Sequence, residues 1–136
     1  MGLIIPVLKC RRLEFSFLGG GASQMITLQP AIETCNFYYA HLFVRVHARS
    51  MAAGQSLVLG LYYTMPSDDD SKEYTDTSEL TSVTITSSSP SAVPGLNHRE
   101  VTSLGAYLKL LLTATQTSSP STFYAELSAD LVLREA

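Results

Sequence analysis

His41, His47 and His98, Cys10 and Cys35, and the carboxylates Asp68, Asp69, Asp70, Glu73 and Asp76 are the residues whose types could do chemistry. His41 and His47 lie in "AHLFVRVHARS", where every second residue is apolar. On an extended chain they share a face but stand roughly 20 Å apart, at about 3.3 Å per residue. They cannot share a metal ion, and the ligand spacings of zinc sites are absent. His98, in a Ser/Pro-rich stretch beside Arg99 and Glu100, is predicted to lie in a loop. The acidic run offers the oxygen donors that calcium prefers, yet it lacks the alternation, central glycine and terminal glutamate of an EF-type loop. A solvated acidic loop is the expectation, with no metal and no cofactor. There is no G-x-S-x-G elbow and no phosphate-binding glycine loop. "GGGAS" leads into a strand rather than a helix, so it cradles no phosphate. Cys35 carries no local signature of a nucleophile. The expectation is a protein that is not an enzyme and has no catalytic residues.

Composition narrows the classes further. The 136 residues suit one domain with a proper core, and 46% hydrophobic against 15% charged is too apolar for disorder. A net charge of −3 gives no global attraction to nucleic acid or to an anionic membrane. The charge is uneven. Residues 1–50 carry five basic residues against two acidic ones, and residues 51–100 carry two against seven. Copies could pair through such a contrast, although polar loops alone produce it too. Two cysteines do not make a disulfide scaffold, and buried free thiols are expected. In "MGLIIPVLKCRR" the basic residues follow the apolar run, which is the wrong order for a secretory signal. No run approaches the roughly 18 apolar residues of a membrane-spanning helix. Synthesis in the cytoplasm, where the chain stays soluble until it meets a partner, follows as the expectation.

The elements that must position these residues are strands. Period-2 alternation places Ala40, Leu42, Val44, Val46 and Ala48 on one side of residues 40–50. It does the same for Leu57, Leu59, Leu61 and Tyr63, for Ala106, Leu108, Leu110, Leu112 and Ala114, and for Phe123, Ala125, Leu127, Ala129, Leu131 and Leu133. Gly60 breaks its segment's outer face and marks a bulge or a close backbone approach. Weaker strands are "QMITLQ" and the β-branched "LTSVTIT". "MAAGQS" and "QTSSPST" read as hairpin turns, "MPSDDDSKEYTD" as a longer acidic loop and "TSSSPSAVPGLNHRE" as a crossover. No helix of useful length is predicted. The fold class is therefore all-β: a single antiparallel β-sandwich of about eight strands with Greek-key or jelly-roll-like wiring. Residues 1–20 form either its first strand, with Leu13, Phe15 and Phe17 inward, or an arm in which Gly2, Leu3, Ile4, Ile5, Pro6, Val7 and Leu8 cover a neighbour. Residues 21–136 form the sandwich.

The second face of residues 40–50 carries His41, Phe43, Arg45, His47 and Arg49, with no carboxylate in the strand to relieve them. Interfaces favour arginine and aromatic residues, so this stripe is a candidate protein contact. The alternative is cross-strand pairing of the arginines with Glu126 or Asp130. A jelly-roll carbohydrate-binding module is the other class. It would stack sugars on exposed tyrosines, since the chain has no tryptophan.

"HLFVRVHARSMAAGQSLVLGLYYTMPSDDDSKEYT" and "AYLKLLLTATQTSSPSTFYAELSADLVLRE" together resemble small virion β-sandwich proteins of tailed bacteriophages. The shared features are the "VRVH" strand, the acidic loop before a Thr-rich strand, a glycine-led "LGAYLKLLLTAT" and a closing "SADLVLRE", over about residues 33–135. The resemblance implies a virion location and a decoration or cement protein on the capsid, or else a tail or baseplate component. It also implies a homo-oligomer, plausibly a trimer, that contacts the major capsid protein or other virion proteins. No residue-level map comes with it, because such proteins act through surfaces.

Overall fold

The computed structural model describes residues 2–17, 21–65, 76–102, 104, 107–117 and 122–135. Alternation becomes strand wherever one parity can be buried. The eight strands are β1 (Gly2–Ser16), β2 (Ala22–Glu33), β3 (Tyr39–Ser50), β4 (Gln55–Met65), β5 (Asp76–Ile85), β6 (Gly95–Val101), β7 (Tyr107–Gln116) and β8 (Thr122–Arg134). They form two antiparallel four-stranded sheets, ordered β1-β8-β3-β6 and β2-β7-β4-β5. The predicted all-β sandwich is what the chain forms. Successive strands change sheet at every connection except β4 to β5, which is jelly-roll wiring.

That wiring corrects the two predicted hairpins. "MAAGQS" joins β3 in one sheet to β4 in the other, and "QTSSPST" joins β7 to β8 across the same divide. Loop length reports how far the chain must travel, and a step between sheets packed about 10 Å apart is as short as a hairpin. The β3–β4 turn is tied to the end of β7. Gly54, at φ +87°, allows the reversal. Its carbonyl accepts from Thr117 N–H at 2.9 Å. Gln55 Nε2 donates to Gln116 Oε1 at 3.0 Å, and Gln55 Oε1 accepts from Ala52 N–H at 2.8 Å. Both glutamines are buried, and these bonds offset part of their desolvation, while Gln116 Nε2 has no hydrogen-bond partner among the described residues.

The core lies between the sheets and uses the predicted parities. Leu42, Val44 and Val46 of β3, Leu57, Leu59 and Leu61 of β4, Leu108, Leu110 and Leu112 of β7, and the whole inner row of β8 from Phe123 to Leu133 are fully buried. Ala106 lies outside the described residues. Leu13 and Phe15 of β1 join the core, and Phe17 packs against it. Phe123 meets the rings of Phe15 and Phe17 at 5.7 and 6.1 Å. The anticipated bulge lies just beyond Gly60, and the close neighbour there is a side chain rather than a backbone. The register against β5 shifts at Leu61/Tyr62, and a Cβ on Gly60 would lie 2.6 Å from the Tyr62 ring.

The segment read as either strand or arm is β1, bonded to β8 from Gly2 to Ser16. β6 falls inside the predicted crossover, so His98 lies in a strand and not in a loop. This edge strand has no apolar alternation. Arg99 reaches from it to the other sheet, donating from Nε to the Ser82 carbonyl of β5 at 3.1 Å.

Two substitutions test this packing. Phe123→Ala removes a fully buried ring and should lower unfolding free energy by about 3–5 kcal/mol in urea denaturation. Gly95→Ala drives its methyl into the backbone carbonyl of Ala92, which cannot swing aside, and should cost about 1–3 kcal/mol in the same assay.

Candidate functional site

β3 runs between β8 and β6, so the outer face of its sheet is read across all three strands and β1. One row reads Ile4, Val132, His41, Glu100, and the next Pro6, Asp130, Phe43, His98. A third places Arg45 between Ser128 and Leu96. His41 Nδ1 and His98 Nε2 lie 2.9 Å apart, and the His98 and Phe43 rings stack with centroids 4.5 Å apart. One imidazole nitrogen must donate and the other accept, so at least one ring is neutral in this pairing. At the two margins of the stripe Ile4 is 67% exposed and Leu96 53%. Beside Ile4 and Val132 an open depression of about 360 Å³ is also lined by Gly2, Arg134 and Glu135. None of these lining residues pairs a nucleophile with a base.

The structure keeps four members of the predicted stripe together and removes one. His41, Phe43, Arg45 and His47 share the outer face. The register against β8 shifts between Val46 and Ala48, so Ala48 stands opposite Glu126 and Arg49 opposite Ala125, which is fully buried. Arg49 is thereby turned to the core side, where its Nη1 is buried without a hydrogen-bond partner. Sequence parity cannot foresee this, because one inserted residue inverts every later side chain. Arg45 is exposed and, among the described residues, is in no ion pair. The anticipated pairing with Glu126 or Asp130 is not made, since Ser128 stands opposite Arg45.

Within β1, Gly2, Ile4 and Pro6 face outward opposite Arg134, Val132 and Asp130. Leu3, Ile5 and Leu8 stand opposite Leu133, Leu131 and Ala129 on the core side, and Val7 sits at a register shift and packs against the core. Of the supposed arm, Gly2, Leu3, Ile4 and Pro6 are exposed, Leu3 at 46% despite its core-side parity, while Ile5 and Val7 are half-buried and Leu8 is buried. Further along β1, Arg12 lies over the Tyr124 ring at 3.7 Å and pairs with Glu14 at 3.7 Å.

Both cysteines are free, but they are exposed, contrary to the buried thiols expected. Cys10 lies at a register shift of the edge strand β1, near His47. Cys35 follows β2, and its thiol donates to Glu33 Oε1 at 2.7 Å. That carboxylate acceptor, with some desolvation and the negative charge of Glu33, pushes the Cys35 thiol up from its ordinary range. Tyr62 is likewise raised, by burial and then by Glu79 across the strand pair. Among the described residues no three His, Cys, Asp or Glu side chains are grouped to hold a metal. The loop carrying Asp68, Asp69, Asp70 and Glu73 lies outside the described residues. His98 and Leu96 were missed as members of this face and no local signal marks them, whereas the alternation of β8 does turn Ser128 and Val132 outward without saying which strand they adjoin. They join it only because β6 and β8 flank β3.

No family model matches the chain, and no curated protein matches it by sequence. Solved structures do match its fold. The VP2 subviral particle of infectious bursal disease virus aligns with a TM-score of 0.58 at 14% identity, over 99% of this chain and 32% of that one. The structure of the Gx strain of the same virus gives 0.53 at 11%, over 98% and 31%. T=1 particles derived from that virus give 0.53 at 11%, over 99% and 32%. The chain spans about a third of the length of these relatives, and at such identity the likeness is one of fold.

Proposed function

We propose that this chain is a non-enzymatic structural protein of a virion, a decoration or cement protein of a phage head that acts through repeated protein–protein contacts. The observation that carries this reading is the outer face of the β1-β8-β3-β6 sheet. An outer face serving only water would show Thr, Ser, Lys and Glu. Here Ile4, Val132, His41, Phe43, His98 and Leu96 make a continuous apolar and aromatic band, flanked by the exposed Arg45, which is in no ion pair among the described residues. Aromatic and arginine residues concentrate where protein surfaces bury one another. The jelly-roll fold supports the virion setting, since chains of viral particles share it, and so does the sequence resemblance to small phage virion proteins. The partners in this reading are the neighbouring shell subunits, including further copies of the chain. Many modest contacts repeated over a lattice give avidity that no single contact supplies.

The test is co-sedimentation with purified particles, quantified by mass spectrometry. The wild-type chain should be found in many copies per particle. The double variant Ile4→Asp, Leu96→Asp changes two exposed positions, so it should melt like the wild type and be lost from the particles. Undiminished incorporation of a folded double variant would sink this face as the contact, and absence of the wild type from particles would sink the virion reading.

A further inference from the structure

The feature that the assembly reading does not use lies on the same face, where the ladder is broken on both sides of β8. Against β1 the register shifts between Leu8 and Arg11, and against β3 between Val46 and Ala48. The two irregularities flank Ser128 and re-aim the side chains beside it, as bulges do next to functional groups. Cys10 Sγ comes within 3.5 Å of His47 Nε2. His47 Nε2 lies 2.7 Å from Ser128 Oγ. Ser128 Oγ accepts from Cys10 N–H at 2.9 Å and donates to Cys10 Sγ at 3.7 Å. With Nε2 unprotonated the thiol donates to it; once Nε2 has taken that proton it donates to Ser128 Oγ, whose hydroxyl donates to the thiolate. A nucleophile, a base and a hydroxyl that holds both thus converge from three strands, on an exposed residue of an edge strand.

We infer that Cys10 is a site of thiol–disulfide exchange in which His47 takes up the thiol proton, and that it takes anionic disulfides. Sγ attacks one sulfur of R–S–S–R′, the S–S bond breaks, and R′S⁻ leaves. The proton passes from the thiol to His47 Nε2 and on to the departing thiolate, so the products are Cys10–S–S–R and R′SH. Charge selects the substrate class. Lys9 and Arg45 are exposed beside the site, Arg11 is exposed but stands opposite core-side Leu127, and Arg12 pairs with Glu14. Glu126 and Asp130 stand two residues to either side of Ser128, so four basic groups face three acidic ones. The basic excess draws a negatively charged disulfide in preference to a neutral one, more strongly at low salt.

Cys35 is an internal control. It too is exposed, but its thiol donates to Glu33. The folded full-length chain is treated near neutral pH with dithiobisnitrobenzoate, a dianionic disulfide, and each cysteine is followed by peptide mapping. Cys10 should react about tenfold faster than Cys35 when folded, and the two rates should converge in urea. His47→Asn should slow Cys10 about tenfold while leaving Cys35 unchanged. Added salt should slow the dianionic reagent at Cys10 more than neutral dithiodipyridine. Equal rates at the two cysteines in the folded chain would overturn the proposal, as would a folded His47→Asn variant with undiminished Cys10 reactivity. A neutral reagent favoured at all salt concentrations would overturn the anionic class. If His47→Asn does not fold, the folded-to-unfolded rate ratio of the wild type decides between the same outcomes.

Discussion

Burial of the inner row of β8 is the constraint on which the rest of the molecule depends. Phe123, Ala125, Leu127, Ala129, Leu131 and Leu133 are all fully buried, and β8 is bonded to β1 on one side and β3 on the other. The row alternates large and small side chains along its middle, which lets the facing sheet interdigitate at interior density. Because side chains on a strand have a period of two, sending this row inward forces Tyr124, Glu126, Ser128, Asp130 and Val132 outward. The outer face is thus not independently built. It is the complement of the core, and its neighbours are dictated by the register that buries the core.

Where the period is interrupted, the face gains features that regular pairing would deny it. The shift in β3 brings His47 onto Ser128 and swings Arg49 to the other side. The shift in β1 brings the Cys10 amide and thiol to the same serine. Cys10 adopts φ 45°, which an L-residue takes at a cost that the surrounding bonds must offset. The regular half of the face carries the aromatic band, and the irregular half carries the Cys10–His47–Ser128 cluster. The proposed assembly contact and the proposed thiol site therefore occupy adjoining parts of one sheet and can be separated by substitution.

The same accounting explains which readings of the residues held. β3, β4, β7 and β8 are legible because one parity is apolar over four or more positions, a pattern with no competing explanation. β6 is not, because Leu96, His98 and Glu100 face solvent while Gly95, Asn97 and Arg99 face the sandwich edge. An edge strand need not be apolar on either side, so hydropathy passes over it. The hairpin readings failed for another reason. A short polar turn is compatible with pairing in one sheet or with stepping to the opposite sheet, and only the total demand for two covered faces selects the second.

By itself the sequence determined the fold class, the inward parity of most strands and the presence of an unusual basic and aromatic stripe on β3. These follow from local spacing, since period-2 burial is a property of consecutive residues. The tertiary structure alone decided that His98 would meet His41 and that Cys10 would meet His47 and Ser128. It also decided that Arg49 would leave the stripe. Those outcomes depend on strand order and on register shifts between segments 37 to 118 residues apart, and no neighbouring residue encodes them.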